Sequence, residues 1–435
     1  MPLLRNPRFA WTLAGIILSG CSSRTPSAPE SGANPEQPSD LSTAKSPTEP
    51  KEEVFRFEAQ AYETTPEEFL ASRLPPSEAR EGWIRLFDQH TLYGWTIEGE
   101  ANWRVEGQQI QADRGQVSFL HTSTRWSDFE LELQFQSDAE TNSGVFIRSV
   151  LQPTDVIRDC FEINIAPPSN PFPTGSVVKR KKATALPADF DAEAWHDMRI
   201  VCNGPVITVS VDGDLVCQLE DAATPRSGTI ALQHRSGPIA MRDIRLRPLG
   251  LESLLDEQLD QWKRYPEMSG SFEIDQQGVL VVDGGKQQLE SKQSFGDFVL
   301  LAEYQLPEPT SNSGIFFRAI PGDEMMGYEC QVNDEMANAN PLTPADCGAG
   351  GIFRRQDARI LASNAGKWNS IVLSVDGDHF ATWVNGLQVV DVIDTRDDDD
   401  NPRRGRRLQP GTLMIQGHDP STLAKYRQLS VAVAP

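Results

Sequence analysis

Short stretches of alternating apolar and polar residues run through most of this chain. In Phe129–Phe135, phenylalanine or leucine occupies every second position, with glutamate or glutamine between them. Ile207–Val211 alternates isoleucine and valine with threonine and serine in the same way. Side chains two residues apart on a strand point to the same face, so each stretch predicts a half-buried β-strand. Asp212-Gly213 and Asn385-Gly386 stand at hairpin positions between such stretches.

From residue 82 onward the strand pattern dominates, with no helical period between the stretches, and this is typical of a β-sandwich. A short helix is predicted in the leading segment, residues 54–80, where Thr65 precedes Pro66 as a capping residue precedes a first helical turn. The predicted fold class is therefore all-β.

One seven-residue motif occurs twice in the chain. Asn-Ser-Gly-Val-Phe-Ile-Arg stands at Asn142–Arg148, and Asn-Ser-Gly-Ile-Phe-Phe-Arg stands at Asn312–Arg318. Flanking landmarks repeat in the same order after each copy, which indicates one module copied once. The predicted domains are residues 81–250 and 251–435, and each is long enough to bury a core.

Alternation sorts the motif and the strand that follows it by face. In each module the motif's asparagine and arginine share one face, while Val145 and Ile147, or Ile315 and Phe317, point to the other. A glutamate and an amide on the next strand share a face in the same way. Each module is therefore predicted to carry a polar sheet surface. Its predicted residues are Asn142, Arg148, Glu162 and Asn164 in the first module and Asn312, Arg318, Glu329 and Gln331 in the second.

The N-terminus has the features of an export signal. Arg5 and Arg8 precede an apolar run, Phe9–Leu18, that is too short for a bilayer span, which takes about 20 residues. Leu18-Ser-Gly-Cys21 resembles a bacterial lipoprotein cleavage box, so residues 1–21 are predicted to be a signal peptide with Cys21 as the lipidated residue. An ordinary signal peptide is the alternative. Ser22 favours the outer membrane over the inner one.

Residues 22–53 are rich in serine, proline and glutamate and hold almost no large apolar side chain. Such a segment cannot bury enough surface to fold, so it is predicted to be a disordered tether with a reach of roughly 30 Å. The predicted protein is exported and lipid-anchored in the cell envelope. Its predicted contact with the membrane is through the lipid anchor only.

Charge and cysteine usage narrow the choice of partners. A net charge of −22 and a pI near 4.7 argue against nucleic acid and anionic membranes as ligands. The Cys and His residues show no zinc-binding spacing. Cys330 and Cys347 could form a disulfide in an oxidising compartment, and this pairing stays open. The segment Arg396–Arg407, with four aspartates before four arginines, is predicted to be a solvated, self-paired loop, with a calcium site as the alternative cofactor prediction.

These motifs together resemble the 3-keto-disaccharide hydrolase domain family, whose fold is the concanavalin A-like jelly roll of lectins and glucanases. Its pattern of NSGIFLR, then G-[YF]-E-x-Q-x-x-D, WN, NG and LQ-x-H is similar to both halves of this chain, over about residues 82–249 and 255–433. The resemblance implies two tandem concanavalin-like jelly-roll β-sandwiches. It implies 3-keto-glycosides or disaccharides as the substrate class.

The two copies differ in how much of the family's polar set they keep. The second copy keeps Glu329, Gln331 and Asp334, although Phe353 stands where the family has tyrosine. The first copy lacks the ending that follows Glu162 in the pattern, and Asn164 leads instead into a proline-rich stretch. If only one copy is active, the second is favoured.

A 3-keto sugar has an acidified proton at C2, which a carboxylate can remove to expel the C1 substituent. Direct glycosidases need two carboxylates across the scissile bond, whereas each module offers one clear candidate, Glu162 or Glu329, with Asp334 as a second candidate in the second module. The hypothesis assigns Glu329 as the base, with Arg318 or His418 steadying the enolate oxygen. The residues predicted to bind substrate are Asn312, Gln331 and Asp334 in the second module and Asn142, Arg148, Glu162 and His234 in the first.

Other interpretations stay open. A glutamate and an arginine on neighbouring strands often form an ion pair that fixes register, and His234 and His418 could cap the sheet edge. Trp195 and Trp368 are interpreted as core residues rather than sugar platforms. The rival function is a non-catalytic carbohydrate-binding or cell-surface assembly module, which duplication suits because two linked sites gain avidity. A purely structural envelope protein is a third class.

Overall fold

The computed structural model describes residues 64–186, 190–222 and 225–434. The predicted signal peptide, Cys21 and the tether lie outside these residues. The described part begins with two short helices, α1 Pro66–Ala71 and α2 Pro76–Arg80. Thr65 caps α1 through a reciprocal capping box with Glu68, as the sequence pattern predicts. Within the described residues, no helix has the length and hydropathy needed to cross a bilayer.

Strands make up most of the first half of the described chain. They assemble into one sandwich with a large sheet, ordered β11-β10-β9-β6-β13-β4-β3 with β1 paired to β13, and a small sheet, ordered β2-β5-β12-β7-β8. The strands are β1 Ile84–Arg85, β2 Trp95–Glu98, β3 Arg104–Glu106, β4 Gln109–Ala112, β5 Ser118–Trp126, β6 Phe129–Gln136, β7 Asn142–Ser149, β8 Phe161–Ile165, β9 His196–Asn203, β10 Val206–Val211, β11 Asp214–Glu220, β12 Gly228–Ser236 and β13 Ile239–Pro248.

The second half repeats this architecture. Its large sheet is ordered β16-β17-β26-β19-β22-β23-β24 with β14 paired to β26, and its small sheet is ordered β15-β18-β25-β20-β21. A single 3-10 turn within the described residues, Ala337–Ala339, lies in the loop after β21. The strands are β14 Glu252–Ser253, β15 Trp262–Arg264, β16 Ser271–Ile274, β17 Leu280–Asp283, β18 Gln287–Phe295, β19 Phe298–Gln305, β20 Asn312–Ala319, β21 Tyr328–Asn333, β22 Asn369–Asp376, β23 His379–Val384, β24 Leu387–Ile393, β25 Gly411–Gly417 and β26 Leu423–Val433.

Strand pairing is antiparallel throughout both sandwiches, and equivalent strands occupy equivalent places. The motif strands β7 and β20 lie beside β12 and β25, one strand from the sheet edge. Alternation buries Phe129, Leu131 and Leu133 between the sheets of the first sandwich, as the period-two pattern requires. The predicted all-β fold of two tandem jelly-roll sandwiches is confirmed.

The two sandwiches belong to one compact unit. Leu301 and Val372, on the large sheet of the second sandwich, pack with the apolar core of the first. The rings of Trp126 and Trp383 meet across this boundary at 5.7 Å, and the indole N–H of Trp383 donates to the Arg85 carbonyl. The duplicated modules are therefore joined by a packed interface.

Candidate active site of the second module

The small sheet of the second sandwich turns one face toward the core and the other away from it. On β20, Ile315 and Phe317 pack in the core, whereas Phe316 between them packs outside it against Met325 and Met414. We call the side of the sheet that carries Phe316 the outer face of the second module. Its side chains are Gln288, Glu290, Phe316, Glu329, Gln331, Met414 and Gln416.

One row of this outer face joins two carboxylates across an apolar floor. Glu290 pairs with Met414, Met414 pairs with Phe316, and Phe316 pairs with Glu329 on the outermost strand. The two glutamates are three strand spacings apart, which is roughly 14 Å. Glu290 is fully engaged, since it accepts hydrogen bonds from Thr412 and from the Tyr265 hydroxyl.

The neighbouring row contains a glycine that makes room for Glu329. A Cβ on Gly314 would lie 2.8 Å from Oε1 of Glu329 and 3.2 Å from Oε1 of Gln416, so a larger residue would displace both side chains. Ser313 anchors the same strand, because its hydroxyl donates to the Gln416 carbonyl at 2.7 Å. The Asn-Ser-Gly part of the repeated motif therefore has a local structural role, because it holds β20 against β25 and leaves space for the carboxylate.

Glu329 combines burial with an uncommitted carboxylate. The residue is 6% exposed, and its carboxylate makes no hydrogen bond with any of the described residues. Burial raises the pKa of Glu329 to about 7, and Asp346 adds to this rise, while Arg403, His418 and Arg354 act against it. A carboxyl group with a pKa near neutrality is a much stronger base than an ordinary carboxylate, yet it is still partly ionised at neutral pH.

Arg403 reaches Glu329 from the insertion between β24 and β25. Its Nη2 lies 3.6 Å from Oε2 of Glu329 and donates to the Met325 carbonyl at 3.1 Å. The guanidinium carbon lies 5.4 Å and 5.8 Å from the ring centroids of Phe316 and Phe353. The prediction of a solvated, self-paired loop is wrong for Arg403. Its position depends on how the loop folds back over the sheet, which no spacing in the sequence reports.

Part of that insertion pairs with itself, although Arg406 also binds Asp378 outside it. Arg404 lies 3.1 Å from Asp399, and Arg406 lies 2.7 Å from Asp398. Arg396 holds the loop closed, donating to Asp394 and to the carbonyls of Pro402 and Gly405. In residues 64–186, 190–222 and 225–434, no group of three or more His, Cys, Asp or Glu side chains is placed to hold a metal ion.

A network of two amides surrounds a carboxylate that the sequence did not single out. Asn312 and Gln331 donate to the same oxygen of Asp346, at 2.8 and 2.7 Å, and Gln331 also donates to Asn312 at 3.2 Å. Asp346 comes from the loop after β21 and has a φ of 43°. Only folding of that loop brings Asp346 to the amides, so no periodicity could have revealed it.

Phe353 and His418 lie at the border of the site. Phe353 is half-buried, and the Arg354 guanidinium lies 5.1 Å from its ring. The backbone N–H of Phe353 donates to the Glu329 carbonyl, which fixes this aromatic beside the carboxylate strand. The His418 side chain is 46% exposed and lies 2.8 Å from Asp419. These groups leave the site open on one side, with an aromatic face and an imidazole at its edge.

The face prediction is wrong for both motif arginines. Arg148 and Arg318 have φ values of 49° and 45°, next to register shifts in strand pairing, so the alternation breaks before their side chains. Each guanidinium is 1% exposed and binds turns at one end of its sandwich. Arg148 contacts Asp128 at 2.8 Å, and Arg318 contacts Asp297 at 2.6 Å. Neither shares a surface with the glutamate, so Arg318 cannot steady an enolate beside Glu329.

Asp334 also lies elsewhere than predicted. It is 3% exposed and accepts a hydrogen bond of 2.8 Å from the hydroxyl of Tyr304, which stands on the opposite sheet and packs in the core. Burial raises the pKa of Asp334. Its side chain therefore points between the sheets, away from the outer face, and cannot orient a sugar hydroxyl beside Glu329.

The first module has an equivalent but simpler outer face. Glu162 pairs with Phe146 as Glu329 pairs with Phe316, and burial raises its pKa to about 7 against the effects of Arg235 and Lys179. The amide of Asn164 donates to the Phe172 carbonyl. Lys179 and Arg235 occupy the positions of Arg354 and His418, whereas the described part of the first module has no counterpart of Arg403.

The remaining predicted residues of the first module are peripheral to Glu162. His234 is 2% exposed, with Nδ1 3.4 Å from the Gln116 carbonyl, and Asn142 is half-buried at the beginning of β7. The interpretation of Trp195 and Trp368 as core is wrong. Both are half-buried and lie under the guanidinium groups of arginines on the large sheets.

Every cysteine in the described residues carries a free thiol. The disulfide between Cys330 and Cys347 that the sequence left open is therefore not formed. Burial raises the pKa of the Cys330 thiol to about 12, and it also raises that of Cys347. Neither thiol is activated for nucleophilic chemistry at neutral pH.

Comparison with solved structures finds similar proteins that match about one module each. A glycosyl hydrolase, described as putative, from Parabacteroides distasonis is 14% identical, covering 40% of this chain and 98% of its own, with a TM-score of 0.36. A second such protein from the same organism is 26% identical, covering 38% and 99%, with a TM-score of 0.34. Carbohydrate-binding module CBM66 from Bacillus subtilis is 17% identical, covering 35% and 95%, with a TM-score of 0.28. No curated protein sequence matches the chain.

The sequence itself matches a family description twice. Residues 82–247 and 250–432 each match the 3-keto-alpha-glucoside-1,2-lyase-like domain, the family of the resemblance described above. The two matches coincide with the two sandwiches, and together they cover most of the described chain. The chain therefore belongs to the carbohydrate-related family of 3-keto-alpha-glucoside-1,2-lyase-like domain proteins, of which it carries two copies in tandem.

Proposed function

We propose that the second module cleaves 3-keto-glycosides, with Glu329 as the base that removes the proton at C2. The observation that supports this most is the state of Glu329, a nearly buried carboxylate with a pKa of about 7 and no hydrogen bond to the described residues. Burial of a carboxylate that accepts no hydrogen bond is unfavourable for folding, and such groups concentrate at functional sites. The family description supports the same substrate class.

The reaction needs one base and an acidified C–H bond. Glu329 takes the C2 proton, the C–H electrons form a C2–C3 double bond, and the carbonyl pair moves to the 3-oxygen to give an enolate. The enolate then re-forms its carbonyl, the new double bond moves to C1–C2, and the C1–oxygen bond breaks. The leaving oxygen keeps that electron pair and takes a proton from Glu329 or from solvent. Water adds to the resulting enone afterwards.

The placement of the other carboxylates favours this route over direct hydrolysis. Glu290 is roughly 14 Å away across the sheet, beyond the separation of about 5–9.5 Å that glycosidase pairs use. Asp334 faces the core, and Asp346 commits one oxygen to two amides. Elimination requires one base, for which Glu329 is the carboxylate that accepts no hydrogen bond from the described residues, whereas acid-and-nucleophile hydrolysis requires two carboxylates.

Glu329→Gln tests the assignment, with Glu162→Gln as the matched control from the other module. With methyl 3-keto-α-D-glucopyranoside, the Glu329 variant is expected to lose at least roughly 100-fold in kcat/KM, a typical loss for a general base. The Glu162 variant is expected to keep wild-type turnover. Unchanged turnover in Glu329→Gln would contradict the proposal, and equal losses in both variants would show that both modules act.

We also propose that the protein is exported and held in the cell envelope, at the outer membrane, by a lipid on Cys21. The basic start, the short apolar run and the Leu18–Cys21 box support this location. The acidic charge of the chain favours contact with the membrane through the anchor alone.

A further inference from the structure

Of the two predicted partners of the enolate oxygen, Arg318 lies away from the outer face, and His418 is 46% exposed at its edge and paired with Asp419. An enolate beside Glu329 puts negative charge next to a carboxylate that has just been neutralised, in a setting largely shielded from water. A preorganised donor at that point would lower the barrier, since charge stabilisation in such sites is commonly the largest catalytic effect. Such a donor would be a cationic side chain that lies next to the base and has N–H groups not engaged in other hydrogen bonds.

Arg403 has these properties. Its Nη2 lies 3.6 Å from the Glu329 carboxylate. When Glu329 contacts C2 of a substrate, Nη2 is therefore within reach of the 3-oxygen on the neighbouring carbon. Among the described residues its side chain makes one hydrogen bond, to the Met325 carbonyl, and the other guanidinium N–H groups stay uncommitted. The side chain is 31% exposed, which leaves it reachable for a ligand.

The loop holds Arg403 in place independently of its side chain. The backbone N–H of Arg403 donates to the Asn401 side chain at 2.9 Å, and Arg396 fixes the carbonyls of Pro402 and Gly405. The ring centroids of Phe316 and Phe353 lie 5.4 and 5.8 Å from the guanidinium carbon. A cation presented by a closed loop and guided by two rings is preorganised, so little reorganisation is needed when charge develops.

We infer that Arg403, supplied by the insertion of the second module, donates a hydrogen bond to the 3-oxygen of the substrate and stabilises the enolate that forms there. This role rests on the proposed elimination at Glu329. It also explains the difference between the modules, because Glu162 keeps the flanking cations at positions 179 and 235 but has no counterpart of Arg403 in the described residues. The insertion is then the element that gives the second module its activity.

Arg403→Ala tests this inference, with Arg404→Ala as the matched control. Arg404 is the next residue of the same loop, and its side chain is 70% exposed and paired with Asp399. Arg403→Ala is expected to lower kcat on methyl 3-keto-α-D-glucopyranoside by roughly 100-fold with little change in KM, because the contact strengthens in the transition state. Arg404→Ala is expected to stay within about twofold, as for most exposed ion pairs.

Two further readouts separate catalysis from structural support. Added guanidinium is expected to restore part of the activity of Arg403→Ala, which it would not do for a misfolded loop. The acidic limb of the pH profile is expected to move to higher pH, because Arg403 lowers the pKa of Glu329 while His418 and Arg354 remain and Asp346 still raises it. Wild-type activity in Arg403→Ala, or a loss with neither rescue nor a moved limb, would overturn the inference.

An equilibrium measurement distinguishes this inference from the proposed function. Kojic acid is a pyranone whose enolate anion imitates the charged intermediate, and its binding requires no turnover. Wild type and Arg404→Ala are expected to bind it at least about ten times more tightly than Arg403→Ala, a typical effect of losing a charged hydrogen bond. Equal affinities would overturn the role of Arg403. If Glu329→Gln keeps full turnover while the affinities differ as expected, the base assignment fails and the anion site stands.

Discussion

Glu329 and Glu162 are buried carboxyl groups whose ionisation opposes folding. Each is nearly buried on an outer sheet face, and burial raises each pKa to about 7. In the unfolded chain a glutamate titrates near 4.3. The folded state therefore binds more protons than the unfolded state between these values, so the free energy of unfolding falls as pH rises from about 4 to 7.

This linkage predicts that Glu329→Gln stabilises the protein above neutral pH. The neutral amide removes the cost of ionising a buried carboxyl group, which is roughly 3–4 kcal/mol for a shift of this size. The Tm difference between variant and wild type is expected to be largest at pH 8 and to disappear near pH 4. Glu162→Gln should show the same dependence. If the substitution instead destabilises the protein at pH 8 more than at pH 4, the ionised glutamate stabilises the folded state and the prediction is wrong.

At the scale of the strand, the repeated motif combines two different functions. Ser313 and Gly314 hold β20 against β25 and leave room for Glu329, whereas Arg318 lies beyond a register shift and fixes turns at the end of the sandwich. Ser313, Gly314 and Phe316 of the motif therefore shape the outer face, and its last residue stabilises the fold.

Gly314→Ala tests the role of the motif glycine, with Gly144→Ala as its counterpart. The new Cβ at position 314 would lie 2.8 Å from the Glu329 carboxylate, whereas at position 144 it would lie 3.0 Å from the Ile163 carbonyl and 3.7 Å from the carboxylate of Glu162. Gly314→Ala is expected to lower kcat/KM by roughly 10-fold or more through displacement of the base. Gly144→Ala should leave turnover unchanged. Equal turnover for Gly314→Ala and wild type would show that turnover does not depend on the position of the Glu329 carboxylate beside Gly314.

The sequence predicted the regular parts of this molecule and failed where the chain departs from regularity. Period-two alternation correctly placed the Phe129 strand in the core, and the repeat correctly predicted two sandwiches. Alternation misplaced Arg148 and Arg318 because a bulge adds a residue and turns the side chain. Asp346 and Arg403 come from loops, whose paths depend on tertiary contacts that no local pattern encodes.

At the scale of the whole molecule, the duplication has produced two unequal sites in one packed unit. The cores of the two modules meet at Trp126 and Trp383, so the modules are expected to move together as one body rather than as independent domains. Divergence is concentrated in loops: the insertion that carries Arg403 has no counterpart among the described residues of the first module, and the loop that carries Asp346 is longer than its equivalent after β8. Because one copy of the fold can supply stability, the site of the other copy can specialise.

The proposed lipid anchor makes a prediction for the whole protein. Cys21→Ser removes the only residue of the Leu18–Cys21 box that can carry a lipid, so the variant should lose labelling by a palmitate analogue and leave the membrane fraction. Turnover of the soluble variant should equal that of wild type, because the site lies far along the chain from the tether. Retained labelling or membrane association in Cys21→Ser would rule out the anchor.

The central claim, that Glu329 removes the proton at C2, is tested most directly by turnover in deuterium oxide. Methyl 3-keto-α-D-glucopyranoside is converted by the wild-type protein, and deuterium at C2 of the released sugar is measured by NMR against a sample without protein. Elimination and re-addition of water predict one deuterium at C2 in every released molecule, formed with wild type and not with Glu329→Gln. A released sugar that keeps its original hydrogen at C2 would contradict the account, because direct hydrolysis leaves that bond intact.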